Sequence, residues 1–412
     1  MKFLTRLMFI VMLGGLSVHA QSSWKMHTID NSSKGADGAK LTDVDGDGLL
    51  DILVGWEQGH HTRLYHHPGL GQAMQPWSYV EVPSPNVEDA QAVDLNGDGF
   101  MDVVSCSEGE HMRISFHFSP ANETEYWHSD KWRSVDVPCT VGRSRWMFVR
   151  PMDVDGKHGI DLIIGSKHPN GTIGWLESPK HPEEVDAWVY HEISPAGWIM
   201  SIEVVDMDGD QQRDVLISDR KGSNKGLKWF KHPGHSSDLL ERAWPVVQIG
   251  LEDKEPMFLD IWKHPRLDTA SEMIWVATHK SGFYGFLPDG DFGYSWKEFH
   301  FDFPKQAGTI GKSIAIGLMN HPTNPAFVTT YEGAGQSSSR QSGVMLTTVE
   351  LSADNIRIVK HKRISDGSGS KFDFAQLVDM DGDGDLDVLT CEEANNATAG
   401  DGLGVIWYEN PG

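Results

Sequence analysis

An all-β ring of seven blades is the fold class this sequence predicts, and three observations predict it. First, an acidic turn runs straight into an apolar, β-branched stretch: Asp43, Asp45 and Asp47 alternate with glycine before Asp51-Ile52-Leu53-Val54. The same offsets return from Asp94, Asp153, Asp206 and Asp379. Second, two worn copies at residues 263–272 and 318–326 keep their strands but lose the acids. With them the units start near 43, 94, 153, 206, 263, 318 and 379, a period of 51 to 61 residues. A long period with several strands per unit marks a β-propeller. Third, one strand stands out of place. Trp24-Lys25-Met26-His27-Thr28-Ile29 has the pattern of an outermost strand, yet it precedes any first strand, and the chain stops after a third strand at Tyr408-Glu409. The N-terminal strand is therefore expected to complete the last blade and close the ring, which removes two exposed edges.

Taken in order, residues 1–20 read as a secretory signal peptide. Lys2 and Arg6 precede a short apolar run, and Val18-His19-Ala20 offers a cleavage site. The mature chain, 21–412, reads as one propeller domain, exported and not inserted in a membrane. Within each unit the innermost strand precedes the acidic turn and the second follows it. The third carries an aromatic residue, as in Lys228-Trp229-Phe230, and the fourth opens on tryptophan at 77, 132, 188, 244 and 296.

The turns have the chemistry of a calcium loop. A hard cation takes six to eight oxygens on a flexible backbone, and Asp alternating with Gly supplies both. The expected ligands are Asp43, Asp45, Asp47 and Asp51; Asp94, Asn96, Asp98 and Asp102; Asp206, Asp208, Asp210 and Asp214; and Asp379, Asp381, Asp383 and Asp387. Loop three departs, with Lys157 where loop one has Asp47, and an ammonium there can replace the metal. Loop four has Gln211 where loop one has Gly48. About three to four structural Ca²⁺ ions and no organic cofactor are expected. These motifs resemble the FG-GAP/VCBS repeat family, and the resemblance spans nearly the whole mature chain. It implies a calcium-looped, seven-bladed propeller.

The net charge of −24 belongs largely to those loops, and so acidic a chain is a poor partner for nucleic acid. Cys106, Cys139 and Cys391 are an odd set for an exported protein. Cys106 and Cys391 end apolar runs and read as buried thiols, with a disulfide from Cys139 to either one left open.

Function is expected on the face away from the acidic loops. There the turns between second and third strands carry Glu57, His60, His61, Arg63, Glu108, His111, Lys167, His168, Arg220, Lys221, His279, Tyr331, Glu332 and Glu393. The segments entering the inner strands add Asp37, Lys40, Glu88, Asp89, Arg145, Trp146, Trp198, Lys312, Lys371 and Asp373. A funnel of cations and imidazoles suits proton abstraction beside a carboxylate: cations neutralise a uronate, a base takes its C5 proton, and an acid assists departure from C4. Arg145, Lys167, His168, Arg220 and Lys221 are the expected catalytic set, with His111 and Tyr331 as further proton carriers. Trp146 and Trp198, with Lys371, are the expected substrate contacts, although both indoles also suit core packing. At the level of fold the chain resembles the exported propeller lyases and dehydratases of ulvan breakdown, which implies a carbon–oxygen lyase acting on uronate oligosaccharides. The alternative is a non-catalytic carbohydrate- or protein-binding propeller.

Overall fold

A computed structural model describes residues 24–235, 243–263, 272–290, 293–305, 307–319, 325–333, 342–351, 356–394 and 400–412. The leader read at residues 1–20 and most of both worn turns lie outside the described residues. Within them, seven four-stranded sheets stand around an axis. Blades 1 to 6 span residues 36–83, 87–136, 145–195, 199–250, 256–301 and 310–363. Blade 7 combines Gln376–Val378, Asp387–Glu392 and Gly404–Glu409 with the N-terminal Lys25–Asp30. No helix among the described residues is long and apolar enough to cross a membrane.

The second strand of each blade explains the apolar runs. Asp51–Trp56, Asp102–Ser107, Asp214–Asp219 and Asp387–Glu392 are buried at every position, because neighbouring blades cover both of their faces. Cys106 and Cys391 lie in these strands, fully buried, and all three cysteines are free thiols. The disulfide left open for Cys139 is absent.

The last acid of each loop has a specific structural task. Asp51 accepts a hydrogen bond from the Val44 N–H at 3.1 Å and another from the His67 N–H at 2.9 Å. It thereby ties the turn to the end of the third strand. Asp102, Asp161, Asp214 and Asp387 repeat the clamp with Leu95 and Ser119, Val154 and Ser178, Met207 and His232, and Met380 and Asn410. Four of these five acids were expected to be metal ligands first; each already commits both oxygens to backbone donors. Charge-assisted bonds contribute about 1.5–3 kcal/mol each, so Asp161→Ala should cost roughly 3 kcal/mol or more. A lower urea midpoint at unchanged slope is the expected readout.

Each inner strand of blades 1 to 6 contains a bulge where it pairs with the second strand, as between Trp146 and Phe148 or between Ile199 and Ser201. The extra residue turns the remaining side chains by one position. Phe148 consequently faces the axis, where it meets Phe258 at 6.1 Å between ring centres, and Phe258 meets Phe374 at 5.5 Å. These three rings narrow the central channel.

Closure is as the sequence predicts. Lys25–Asp30 pairs antiparallel with Gly404–Glu409, from Lys25 opposite Glu409 to Asp30 opposite Val405. Trp24 and Ile29 are buried, and the His27 ring stacks on Trp407 at 4.4 Å. Blade 1 then latches the strand. Arg63 Nη1 and the Tyr65 hydroxyl each donate to Asp30 Oδ2 at 2.7 Å, while Arg63 also grips Glu81 at 2.8 Å. Arg63 is thus a bolt across the seam and not a residue of the funnel.

Candidate functional site

The axial mouth away from the acidic loops opens a cavity of about 300 Å³. Its wall is built from two kinds of position. Asp37, Glu88, Trp198 and Lys312 come from the entries to inner strands; Glu57, Glu108, Lys167, Arg220, His279, Glu332 and Glu393 stand at or just beyond the ends of second strands. Phe148 and Phe258 form the floor with Met147, Met200 and Met257. Beyond the phenylalanines, on the side of the acidic loops, lies a second cavity of about 310 Å³ lined by Lys40, Arg150, Glu203 and Asp260.

The mouth is a ring of ion pairs. Among its described lining residues, seven carboxylates face four lysines and arginines. Lys167 Nζ lies 3.2 Å from Glu88 Oε1 and also pairs with Glu108. Lys312 lies 3.3 Å from Asp373, and Lys371 pairs with Glu393. Glu255 collects Arg220 at 3.4 Å, Lys221 at 2.9 Å and His279 Nδ1 at 3.1 Å. The cations and imidazoles expected in this funnel are thus matched by the acids of the same segments.

Crowded carboxyl groups divide into protonated and ionised partners. Burial pushes Glu88 up to about 8, against the pull of Lys167 and with the push of Glu108. Burial also works against Glu108, but hydrogen bonds from Glu88 and Lys167 hold it below the usual carboxylate value. Asp37 is likewise raised by burial and by the charge of Asp373, while Lys312 and the Asp37 proton keep Asp373 low despite its burial. His279 is pushed down to about 4 by burial and then by the Arg220 guanidinium, so it is neutral at physiological pH. A neutral imidazole that donates from Nδ1 to Glu255 keeps Nε2 as an acceptor.

Of the residues expected here, Lys167, Arg220, Trp198 and Lys371 line the mouth together. Trp198 is flanked by both cations, with the Arg220 guanidinium 4.6 Å and the Lys167 ammonium 4.7 Å from its ring centre. His168 is exposed beside the opening, its ring 6.3 Å from Trp198. Lys221 pairs with Glu255, and neither it nor Arg145, paired in register with Lys167, is among the residues that line the cavity. His111 lies away from the cavity, against Arg113 at 3.2 Å and His60. Two expectations are overturned. Tyr331 is fully buried between Phe283 and Phe303, and its hydroxyl accepts a hydrogen bond from Thr329 Oγ1 at 3.1 Å, so it meets no substrate. Trp146 is fully buried against Tyr190 with its N–H on the Thr140 carbonyl, so it has no face for a sugar. The paired acids Glu88–Glu108 and Asp37–Asp373, and the neutral His279, were missed as site residues. Their sole signal was membership of the same two sets of segments.

The acidic loops divide by whether a cation of the chain already fills them. In loop one, oxygens of Asp43, Asp45 and Asp51 lie within 4.8 Å of one another. In loop seven, one Asp385 oxygen is buried without a hydrogen-bond partner among Asp379, Asp381 and Asp383. A divalent ion would relieve both arrangements, so loops one and seven fit Ca²⁺, and loop two shares their geometry through Asp94. The acids of loops three and four are gathered in the same way, with Asp153, Asp155 and Asp161 equally close together and one Asp208 oxygen buried without a hydrogen-bond partner. What sets these two loops apart is a lysine. Loop three holds Lys157 at 2.7 Å from Asp155, in line with the sequence reading. In loop four, expected to bind metal through Asp206, Asp208, Asp210 and Asp214, the Lys231 ammonium meets Asp208 and, at 2.8 Å, Asp210. Its backbone is nonetheless that of the other loops: Gln211 takes φ +71° where loop one has Gly48 at +86°. Chelation should lower the melting temperature and Ca²⁺ restore it, since an ion held by the folded loops stabilises them. Asp45→Ala and Asp381→Ala should each reproduce part of that loss, and a melting curve indifferent to chelator would contradict it.

Residues 43–105 match the family model of the FG-GAP-like repeat. No curated protein matches the sequence significantly. Among solved structures, BBS1N in complex with ARL6DN is similar at a TM-score of 0.53 and 12% identity, covering 95% of this chain and 98% of that one. The Dos1 propeller is similar at 0.51 and 9%, covering 90% and 78%. Both likenesses show the fold alone. Propeller enzymes occur among further matches, such as the NanB sialidase from Streptococcus pneumoniae at 0.48 and 9%, covering 93% and 69%, too distant to bear on chemistry.

Proposed function

We propose, from a seven-bladed propeller that carries an FG-GAP-like repeat, that this exported chain is a carbon–oxygen lyase acting on uronate-containing oligosaccharides at the axial mouth. The observation that carries the reading is the Glu88–Glu108 pair bridged by Lys167 beside Trp198, in a cavity about the size of one or two sugar rings. Carboxyl groups whose environments push their pKa values apart are suited to acid and base roles. The reaction needs both. Ionised Glu108 removes the proton at C5; the electron pair forms the C4–C5 double bond; the C4–O bond breaks; and Glu88 gives its proton to the departing oxygen. Water leaves in a dehydratase; in a polysaccharide lyase the departing oxygen becomes the free hydroxyl of the neighbouring sugar unit. Arg220 and Lys167, on either side of one indole, would hold the uronate carboxylate and lower the pKa of the neighbouring C–H. His279 is a second neutral acceptor in the same wall.

A second reading rests on one observation: the mouth's cations are already matched by carboxylates, which suits a binding propeller that recognises neutral sugars through hydroxyl groups. Incubation of the purified protein with uronate oligosaccharides separates the two. The lyase yields an unsaturated-uronate chromophore, and a dehydratase also a mass loss of one water; the binding propeller retains the intact sugar and yields neither.

A further inference from the structure

We infer that the divalent-ion requirement of this ring is confined to one arc, blades 7, 1 and 2, because lysines of this chain take the ion's place in blades 3 and 4. The inference builds on the fit of the acidic loops to Ca²⁺ and is independent of any activity at the mouth.

One position recurs in each blade, at or just past the end of the third strand and immediately before the N–H that the clamping acid accepts. In blade 4 it is Lys231, whose ammonium reaches back to Asp208 and Asp210. The Tyr294 hydroxyl from blade 5 closes over the same Asp208 oxygen at 3.1 Å. The Asp208 side chain is 7% exposed, so its charge must be met from within. In blade 3 the position is Glu177, and Lys157 from the loop answers both Glu177 at 3.2 Å and Asp155 at 2.7 Å, the latter side chain only 4% exposed. A lysine carries a fixed charge where the ion would stand, so an entering Ca²⁺ would have to displace an ammonium from buried carboxylates.

Blades 1, 2 and 7 have no such lysine. The position is His66 in blade 1, 3.1 Å from Asp45, and an imidazole has no permanent charge. It is Phe118 in blade 2, which brings no charge at all. In blade 7 it is Glu409, a further carboxylate, which faces the His27 ring at 2.6 Å and Lys25 at 3.9 Å, both from the closing strand. The loop of blade 7 therefore gathers acid instead of neutralising it.

These three blades are consecutive around the ring, since the inner strand of blade 1 packs on blade 7 on one side and on blade 2 on the other. Blade 7 contains the seam where the chain's ends meet, and blade 1 flanks it. The arc with the least covalent continuity is the arc that depends on the ion. Loss of Ca²⁺ should therefore loosen the ring at its seam and leave blades 3 and 4 intact.

Native mass spectrometry of the whole protein titrated with Ca²⁺ tests the count. Three ions per chain are expected, two in Asp381→Ala, an unchanged three in Asp208→Asn, and a fourth in Lys231→Met. Hydrogen exchange with and without chelator tests the location: exchange should rise in blades 7, 1 and 2 only. Four or more ions in the unaltered protein, loss of an ion in Asp208→Asn, no ion at all, or equal exchange around the ring would each overturn the inference. Should Lys231→Met fail to fold, the contrast between Asp208→Asn and Asp381→Ala and the exchange map still decide it.

Discussion

Deleting residues 24–30 is expected to destroy cooperative folding of the whole ring. The strand supplies the outer edge of blade 7, and its loss bares the ladder of Gly404–Glu409 as an open edge. Trp24 and Ile29 leave the core with it, at about 1.5–3 kcal/mol for each buried side chain. Removing Asp30 also strands the buried Arg63, and breaking such a pair typically costs about 3–5 kcal/mol. Together these losses rival the roughly 5–15 kcal/mol by which a domain is stable. The deletion variant should aggregate or lose its sharp melting transition. Arg63→Ala is the milder companion, with a folded protein that melts several degrees lower. A soluble deletion variant that melts like the parent would show that the seam is not what holds the ring shut.

Glu108→Gln is expected to lower turnover about a hundredfold or more while leaving the melting curve in place, the usual scale for a general base. Glu88→Gln should match it, because the amide cannot give up a proton to the leaving oxygen. The pH dependence follows from the signs of the two shifts. Glu108 is held low, so the base is already ionised from moderately acidic pH upward. Glu88 keeps its proton up to about pH 8 and loses it above. Turnover should be level through neutrality and then fall about tenfold per unit on the alkaline side. A rate that climbs through pH 8 would mean that Glu88 is not the acid.

The ring was legible because its evidence repeats. Five acidic turns, a tryptophan opening five of the fourth strands and one orphaned strand at Trp24 each constrain the same architecture. The mouth was legible only as a list of segments. Which member of a segment faces the channel depends on the bulge in each inner strand, and nothing in Arg145-Trp146-Met147-Phe148 reveals that Phe148 turns inward while Trp146 is buried between blades. A one-residue slip exchanges the two faces of a strand. The ion pairs were hidden for another reason: Lys167 meets Glu88 across 79 residues and a blade boundary, a distance over which residue type carries no signal. The same holds for Arg63, which shares a segment with mouth residues but reaches across the seam to Asp30. Lys231 was passed over because it lies just past a third strand, 21 residues after the Asp210 it neutralises.

The most direct test of the account is to follow uronate oligosaccharides by absorbance and mass with the unaltered protein and with Glu108→Gln in parallel. The account predicts an unsaturated uronate from the first, none from the second, and matching melting curves for both. Intact oligosaccharide recovered from the unaltered, calcium-loaded, folded protein across a panel of uronate substrates would contradict it, and the mouth would then be a binding surface.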